Sequence, residues 1–527
     1  MSKNRTTRKS AMMMAAAAAA LVAVSGLYAS GTQQAPAAQA SQKTLTVWDG
    51  VGGDASKIVK SIDEKPLYKE LEKRTGVKIS WISPPEGQGN EAFNLMLASN
   101  DLPDVMWYNW LGFPGGPEKA IADKVIIPLN DIIAKHAPNL SKRLADRPDW
   151  AKAAKSDKGT MYMFPFIRGH DSLMVFFGPI IRKDWLDELS LPVPETMDDW
   201  HKMLTAFKAK TGGMPPLTMT AFGKGRDLRA GAFISAYETA MGFYQLDGKV
   251  RFGQMDPGYK EFLATFNKWF SEGLIDKEFM TNDMAAFNAK VLGNRAGAFP
   301  GYTGSTMGSF FDAKKDDPKF NLVGAQYPVL KKGQTAFTGQ RDNPINATGG
   351  CAVSTKAKDP TLAASWLDYN YSAEGHMLFN FGIEGESYTM INGYPTYTDL
   401  IKKHPNGMAA ALGIYTRSST GGAIIQDERY FQQYVARPQQ QKAVDNWSKT
   451  RAVEHNLPAI TPTPEESQRL AAIMNEVNTY CDEMFVKFIV GAEPIANYDQ
   501  FIAQLKRMKI EDAIAIQQAA LDRYNKR

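Results

Sequence analysis

Apolar and polar residues alternate along Thr44-Leu45-Thr46-Val47-Trp48, and the run breaks at Asp49-Gly50-Val51-Gly52-Gly53, which predicts a strand that ends in a loop. A helical period follows from Pro66 to Arg74 and stops at Gly76, then a second strand runs from Val77 to Ser83 and a second helix from Ala92 to Ser99. Strand and helix alternate in this way in mostly parallel sheets with helices on both faces, so the fold class is α/β. Ligands of such sheets sit beyond the carboxyl ends of the strands, which puts Trp48 and Asp49 near a binding edge. The pattern recurs at Val105-Met106-Trp107 and from Ile180 to Leu189. It returns in a helix over Asp198 to Lys210, whose stripe is Trp200, Leu204 and Phe207 and whose end is Gly212-Gly213. Phe262, Phe266, Trp269 and Phe270 share helical spacing between Pro257 and Gly273 and read as core. Two amphipathic helices are predicted near the end, from Thr463 to about Val490 and from Glu511 to Tyr524, and no internal repeat is visible.

The chain has 527 residues, and its first forty break the pattern. Lys3, Arg5, Arg8 and Lys9 precede an uncharged run from Ala11 to Val24, and Ala38-Gln39-Ala40 offers small-x-small geometry. This is the form of a secretory leader, residues 1–40, cleaved near Ala40, and it predicts export to the periplasm. Without those four cations the balance is 57 basic against 56 acidic residues, so the strong positive field expected of a nucleic-acid or membrane-surface binder is missing. No later run approaches eighteen apolar residues, so a soluble mature chain, taken as a monomer, is expected. Cys351 and Cys481 lie far from the leader, so no lipid anchor is expected; whether the two pair stays open. The remaining length calls for at least two domains.

The chemistry of most enzymes is missing from this pattern. Six histidines stand at 136, 170, 201, 376, 404 and 455 without ligand spacing, and no metal or cofactor is expected. Gly223-Lys224-Gly225-Arg226 lacks the features of a phosphate loop and reads as a turn. Gly385-Glu386-Ser387-Tyr388-Thr389 lacks the second glycine of a nucleophile elbow. Glu384 and Glu386, two apart in a predicted loop, form a carboxylate pair that could cleave a glycosidic bond in a cleft; surface or hydrogen-bonding roles are the plainer reading.

Seven segments in order carry a resemblance. They are Phe93 to Val105, Gly159 to Pro165, Ile181 to Leu186, Trp269 to Glu278, Trp366 to Ser372, Phe381 to Tyr388 and Ala519 to Tyr524. Together they resemble the extracellular solute-binding proteins of carbohydrate ABC transporters (family 1), and in particular the branch of periplasmic alginate-binding proteins. The resemblance implies a bilobed periplasmic-binding-protein fold with a multi-crossing hinge and a ligand cleft between the lobes. Lobe one would hold 41–165 plus 336–395, and lobe two 166–335 plus 396–527. It implies a non-enzymatic receptor that passes an oligosaccharide to the transmembrane subunits of an ABC permease. An exported glycosidase or polysaccharide lyase using Glu384 and Glu386 is the alternative, and a peptide receptor is a third reading. The calcium loop of the alginate binders is replaced by Lys210-Thr211-Gly212-Gly213-Met214-Pro215, which has no carboxylates, so that site is not expected and alginate itself is in doubt.

A sugar offers a face of C–H groups and a rim of hydroxyls, so a receptor needs rings for the face and polar side chains for the rim. Loops that the resemblance aims at the ligand supply Trp48, Trp107, Trp110, Tyr162, Tyr302 and Tyr388 as rings, and Asp49, Arg168, Arg341, Asp342 and Glu384 as rim partners. Arg168 and Arg341 could also pair with an acidic sugar.

Overall fold

The computed structural model describes residues 43–527, apart from Glu86, residues 221–231 and the side chains of Ala347 and Thr348. The expected leader and the Gly223–Arg226 turn lie outside the described residues. Strands β1 (Lys43–Trp48), β2 (Val77–Ile82), β3 (Val105–Trp107) and β4 (Phe164–Ile167) belong to one five-stranded sheet. Its order is β2-β1-β3-β10-β4, with β10 spanning Ile345–Val353. The β2-β1-β3 pairs are parallel, as the local alternation predicts, but β10 runs antiparallel to both of its neighbours. The sequence expectation of a mostly parallel sheet fails there because β10 arrives from a distant segment, and no local period encodes its direction. Leu45 and Val47 are buried in β1, and helices cover the sheet. Helix Pro66–Thr75 packs Leu67, Tyr68 and Leu71 inward, starts with proline at its first position and ends on Gly76 at φ 65°.

A second sheet has β5 (Phe177–Arg182) at its centre, antiparallel to β8 (Ala298–Tyr302) and β9 (Leu322–Gly324). Successive residues of β5 face opposite sides: Ile180 joins one core with Trp447 and Phe299, while Ile181 joins another with Trp200, Phe207 and Trp269. Helix Met197–Lys210 opens with a reciprocal cap between Thr196 and Asp199, and helix Pro464–Val490 opens with another between Thr463 and Glu466. Two hairpins complete the strand set: β6 (Phe243–Leu246) with β7 (Lys249–Phe252), and β11 (Tyr388–Ile391) with β12 (Tyr394–Tyr397). Both turn on a two-residue loop in the left-handed region, Asp247-Gly248 and Asn392-Gly393.

The lobe around the first sheet draws on residues 45–167 and 345–379, and also on Ala423, Ile424 and Ile425. A smaller core joins Ala55, Val59 and Leu173 to residues 381–435. Within it Tyr397, Ile401, Leu412, Ile414, Tyr430 and Phe431 pack with Ala55 and Val59 from the segment after β1. Core membership changes from the first core at Ile167 to the Ile180 core at Val175, from Ala336 back to the first core at Ile345, and from Val435 in the smaller core to Ala443 in the Ile180 core. Cys351 lies in β10 of the first lobe and Cys481 in the core of the second, so no disulfide joins them. No described helix is long and apolar enough to cross a membrane.

Candidate functional site

At the seam of the lobes lies a cavity of about 190 Å³. Its first-lobe floor contains Asp54 from the loop after β1, Arg168 just past β4, and Ser419, Thr420 and Gln426. The opposite wall is built from Phe176, ahead of β5, and Tyr302 to Ser305, past the end of β8. Helix Glu428–Tyr434 closes the side with Tyr430, Phe431 and Tyr434.

Each wall has a local cause. Phe177 pairs with Tyr302 in the β5–β8 register, and the Thr303 amide donates to the Phe176 carbonyl at 2.9 Å. This brings the Phe176 and Tyr302 rings into a stack, 6.1 Å between centroids and 13° between planes, with Tyr302 44 % exposed. Arg168 lies behind Phe176, its Cζ 5.0 Å from that ring and 4.8 Å from Phe166. Phe166, Arg168, Phe176 and Tyr302 thus form one column that crosses the seam. After β8 the chain takes a π-helical turn over Thr303–Gly308, a local widening common at functional sites. Gly304 is required in it, because a Cβ there would stand 2.2 Å from the Tyr434 ring.

The loop 416–427 reaches the floor because both of its ends are fixed. Ile167 and Gln426 exchange backbone hydrogen bonds with the first sheet's edge, Ile167 N to Ile424 O and Gln426 N to Ile167 O, each 2.9 Å. At the start of the loop, Arg417 donates to Asp49 at 2.7 Å and to the Gly421 carbonyl at 2.6 Å, and its Cζ lies 3.8 Å from the Trp107 ring. Asp427 then caps the aromatic helix by accepting from the Arg429 amide, and His376 Nε2 lies 2.8 Å from its carboxylate. Burial opposes the Asp427 charge, but hydrogen bonds from His376 and Arg429 outweigh it and hold the carboxyl well below its ordinary range. Tyr430 and Tyr434, four residues apart, share one helix face with ring centroids 6.1 Å apart. Burial pushes the Tyr430 phenol up to about 12, so it stays protonated and able to donate.

Two hydroxyl oxygens on the cavity wall, Thr303 Oγ1 and Thr420 Oγ1, are buried and have no hydrogen-bond partner among the described residues. Buried hydroxyls are normally satisfied, and these two are exceptions in residues that line the cavity. The arrangement can therefore cover an apolar ring face and bond its edge; among the described residues no three His, Cys, Asp or Glu side chains are placed to hold a metal.

Of the residues singled out in the sequence, Arg168 and Tyr302 line this cavity, and Asp342 lies directly behind Arg168, 2.5 Å from its Nη2. Asp49 and Trp107 meet instead at a narrow pocket of about 30 Å³, closed by Arg417. Trp48 is buried against Phe93 in the first core. Trp110, with no exposed surface, packs among Phe93, Tyr108 and Phe113, and Tyr162 is also core. A loop position does not by itself expose a ring when helices fold over it. Arg341 lines a separate groove of about 540 Å³ with Phe243, Tyr244 and Asn456. Glu384 and Glu386 are exposed on the turn before β11, outside the cavity, and Tyr388 is buried beside Phe381. Ser387 is fully buried, donating to the Phe381 carbonyl at 2.8 Å, so it has no access to a substrate. Phe176, Gln426, Tyr430 and Tyr434 were missed. The aromatic spacing at 430 and 434 was a usable signal, but helical spacing of rings reads first as core.

A larger groove of about 1,090 Å³, which shares no lining residue with the seam cavity, holds the ion pairs Arg182–Asp184 and Lys210–Glu188 together with Lys314, Lys315 and Lys319.

Two α/β lobes joined by repeated crossings, with an aromatic cavity at the seam, define a hinged solute-binding protein. The chain belongs to the bacterial extracellular solute-binding protein family, whose model matches residues 55–377. It is 26 % identical over 490 residues to the fructooligosaccharide ABC transporter substrate-binding protein FusA of Streptococcus pneumoniae, covering 88 % of each chain. The crystal structure of the alginate-binding protein AlgQ2 without calcium ion matches with a TM-score of 0.77 and 26 % identity, over 91 % of this chain and 98 % of that one. FusA in complex with kestose matches in fold with a TM-score of 0.74 at 23 % identity, over 92 % and 99 %. The family and these relatives are transport binding proteins.

Proposed function

We propose that this chain is the substrate-binding component of a sugar ABC importer, gripping an oligosaccharide in the seam cavity and passing it unchanged to a membrane permease. The observation that carries the reading is the Phe176–Tyr302 stack in the wall of a seam cavity that is otherwise lined by polar residues such as Asp54, Thr303, Thr420 and Gln426. Rings cover the C–H face of a sugar, while Tyr430, Gln426, Asp54 and the threonines meet its hydroxyls. Binding of fructooligosaccharide or alginate by relatives agrees with this class of ligand.

The cavity is smaller than the ~300–1,000 Å³ usual for ligand sites, so a bound oligosaccharide extends past it or is accommodated by hinge motion. The closed form presents both lobe surfaces to the permease. In this proposal Tyr302 keeps the ring role expected of it, while Arg168 and Asp342, expected as rim partners, act instead behind the wall by positioning Phe176. Asp49 and Trp107 act by pinning Arg417 and its loop. Export is part of the same reading, supported by the family's extracellular character and by the leader-like residues 1–40. A catalytic alternative gains nothing from Glu384 and Glu386, which stand outside the cavity.

Isothermal calorimetry against neutral and uronic oligosaccharides, with chromatography of the recovered sugar, tests the proposal. Saturable binding with unaltered sugar supports it. Released reducing ends or unsaturated products would show an enzyme.

A further inference from the structure

We infer that the cavity selects uncharged sugars and rejects uronates, because the cation on its wall is neutralised from within the protein. The inference rests on the receptor reading above and adds the charge of the ligand to it. Among the described lining residues the charged side chains are Arg168 and Asp54. Arg168 is committed along its edges: Nε and Nη2 donate to Asp342 Oδ2 at 3.1 and 2.5 Å, and Nη1 donates to Gln426 Oε1 at 2.9 Å. Two rings lie against it, Phe166 at 4.8 Å and Phe176 at 5.0 Å from its Cζ, and its side chain is only 12 % exposed. Asp342 is itself held, accepting from Asn346 Nδ2 at 3.0 Å and from Gln340 Nε2 at 3.3 Å.

A uronate carboxylate arriving at Arg168 would have to displace Asp342 or lie beside it. Displacement leaves Asp342 half-buried without its cation, and sharing sets two carboxylates side by side. Asp54, the other charge, is paired with Lys57 at 2.7 Å and gives an anion nothing to bind. Arg341, the second arginine suited to an acidic sugar, lines the separate groove and lies 3.6 Å from Asp171. The rest of the wall, Phe176, Tyr302, Thr303 and Thr420 among them, matches a neutral ring. Arg168 is on this account a positioning residue that stiffens the Phe176 platform.

Calorimetry on the mature chain would compare fructo-, galacto- and manno-oligosaccharides with oligogalacturonate and oligomannuronate of the same length. The tightest neutral probe should exceed the tightest uronate by more than about tenfold, since juxtaposed like charges oppose association. A uronate that binds tighter would overturn the inference and leave the receptor reading intact, whereas binding of neither class would overturn both. Asp342→Asn supplies the second arm. It should gain uronate affinity that weakens with added salt, while circular dichroism reports its folding. A folded Asp342→Asn chain with no such gain would remove the assigned basis of selectivity.

Discussion

Two aromatic residues that look alike in the sequence have opposite roles. Tyr302 is 44 % exposed and Trp110 is wholly enclosed, though one ends a strand, β8, and the other stands three residues past β3, each ahead of a glycine-containing segment. Tyr302→Ala should weaken sugar binding by about tenfold or more while unfolding at nearly the wild-type temperature, because it removes a stacking ring and little core. Trp110→Ala should cost about 3–5 kcal/mol of stability and lower the melting temperature, since its contacts with Phe93, Tyr108 and Phe113 leave a cavity behind. Parallel thermal melts and calorimetric titrations separate the two. Gly304→Ala is a third probe at this scale. The new methyl meets the Tyr434 ring at 2.2 Å, so the ring must move, and ligand affinity should fall although no contacting side chain has been removed.

Among the elements, helix Pro66–Thr75 carries an unusual charge at its start. Lys65 is buried, donates to the Val51 carbonyl at 2.7 Å, and is near Asp49 and Arg417. Burial lowers its ammonium to about 8, Arg417 adds to that, and Asp49 opposes it. An unfolded lysine titrates near ~10.4, so between these values the unfolded chain holds the extra proton and raising the pH favours the fold. Stability should therefore climb from pH 8 to pH 10 by up to about 3 kcal/mol through this group. Urea denaturation at stepped pH should show the rise in the wild type and a flatter profile in Lys65→Met. An equal slope in both would exclude Lys65 as its source.

The elements also show what the sequence disclosed. Local periods placed helices Pro66–Thr75, Met197–Lys210, Pro257–Ser271 and Pro464–Val490 to within a few residues, because caps and apolar stripes are written locally. The direction of β10 was not legible, nor was the return of residues 423–425 to the first core, since both depend on contacts between distant segments. The candidate site divides the same way. Arg168 and Asp342 stand in loops, and Tyr302 at a strand end, in segments that the family resemblance flags. Tyr430 and Tyr434 become wall residues only once Asp49 and Arg417 have tied their loop to the first sheet.

For the whole molecule, the proposal predicts compaction. Small-angle scattering should show a smaller radius of gyration with a saturating neutral oligosaccharide, and no change with a sugar that fails to bind. The same ligand at a hundred times its dissociation constant should raise stability by about 2.7 kcal/mol.

The column of Phe166, Arg168, Phe176 and Tyr302 runs from one lobe into the other. A rotation that parts the lobes along this line must slide a phenyl ring off a guanidinium and wet both, at a cost of about 0.5–2 kcal/mol. The unladen receptor is thereby discouraged from gaping. If the chain unloads at a permease as proposed above, docking there has to offset that contact energy.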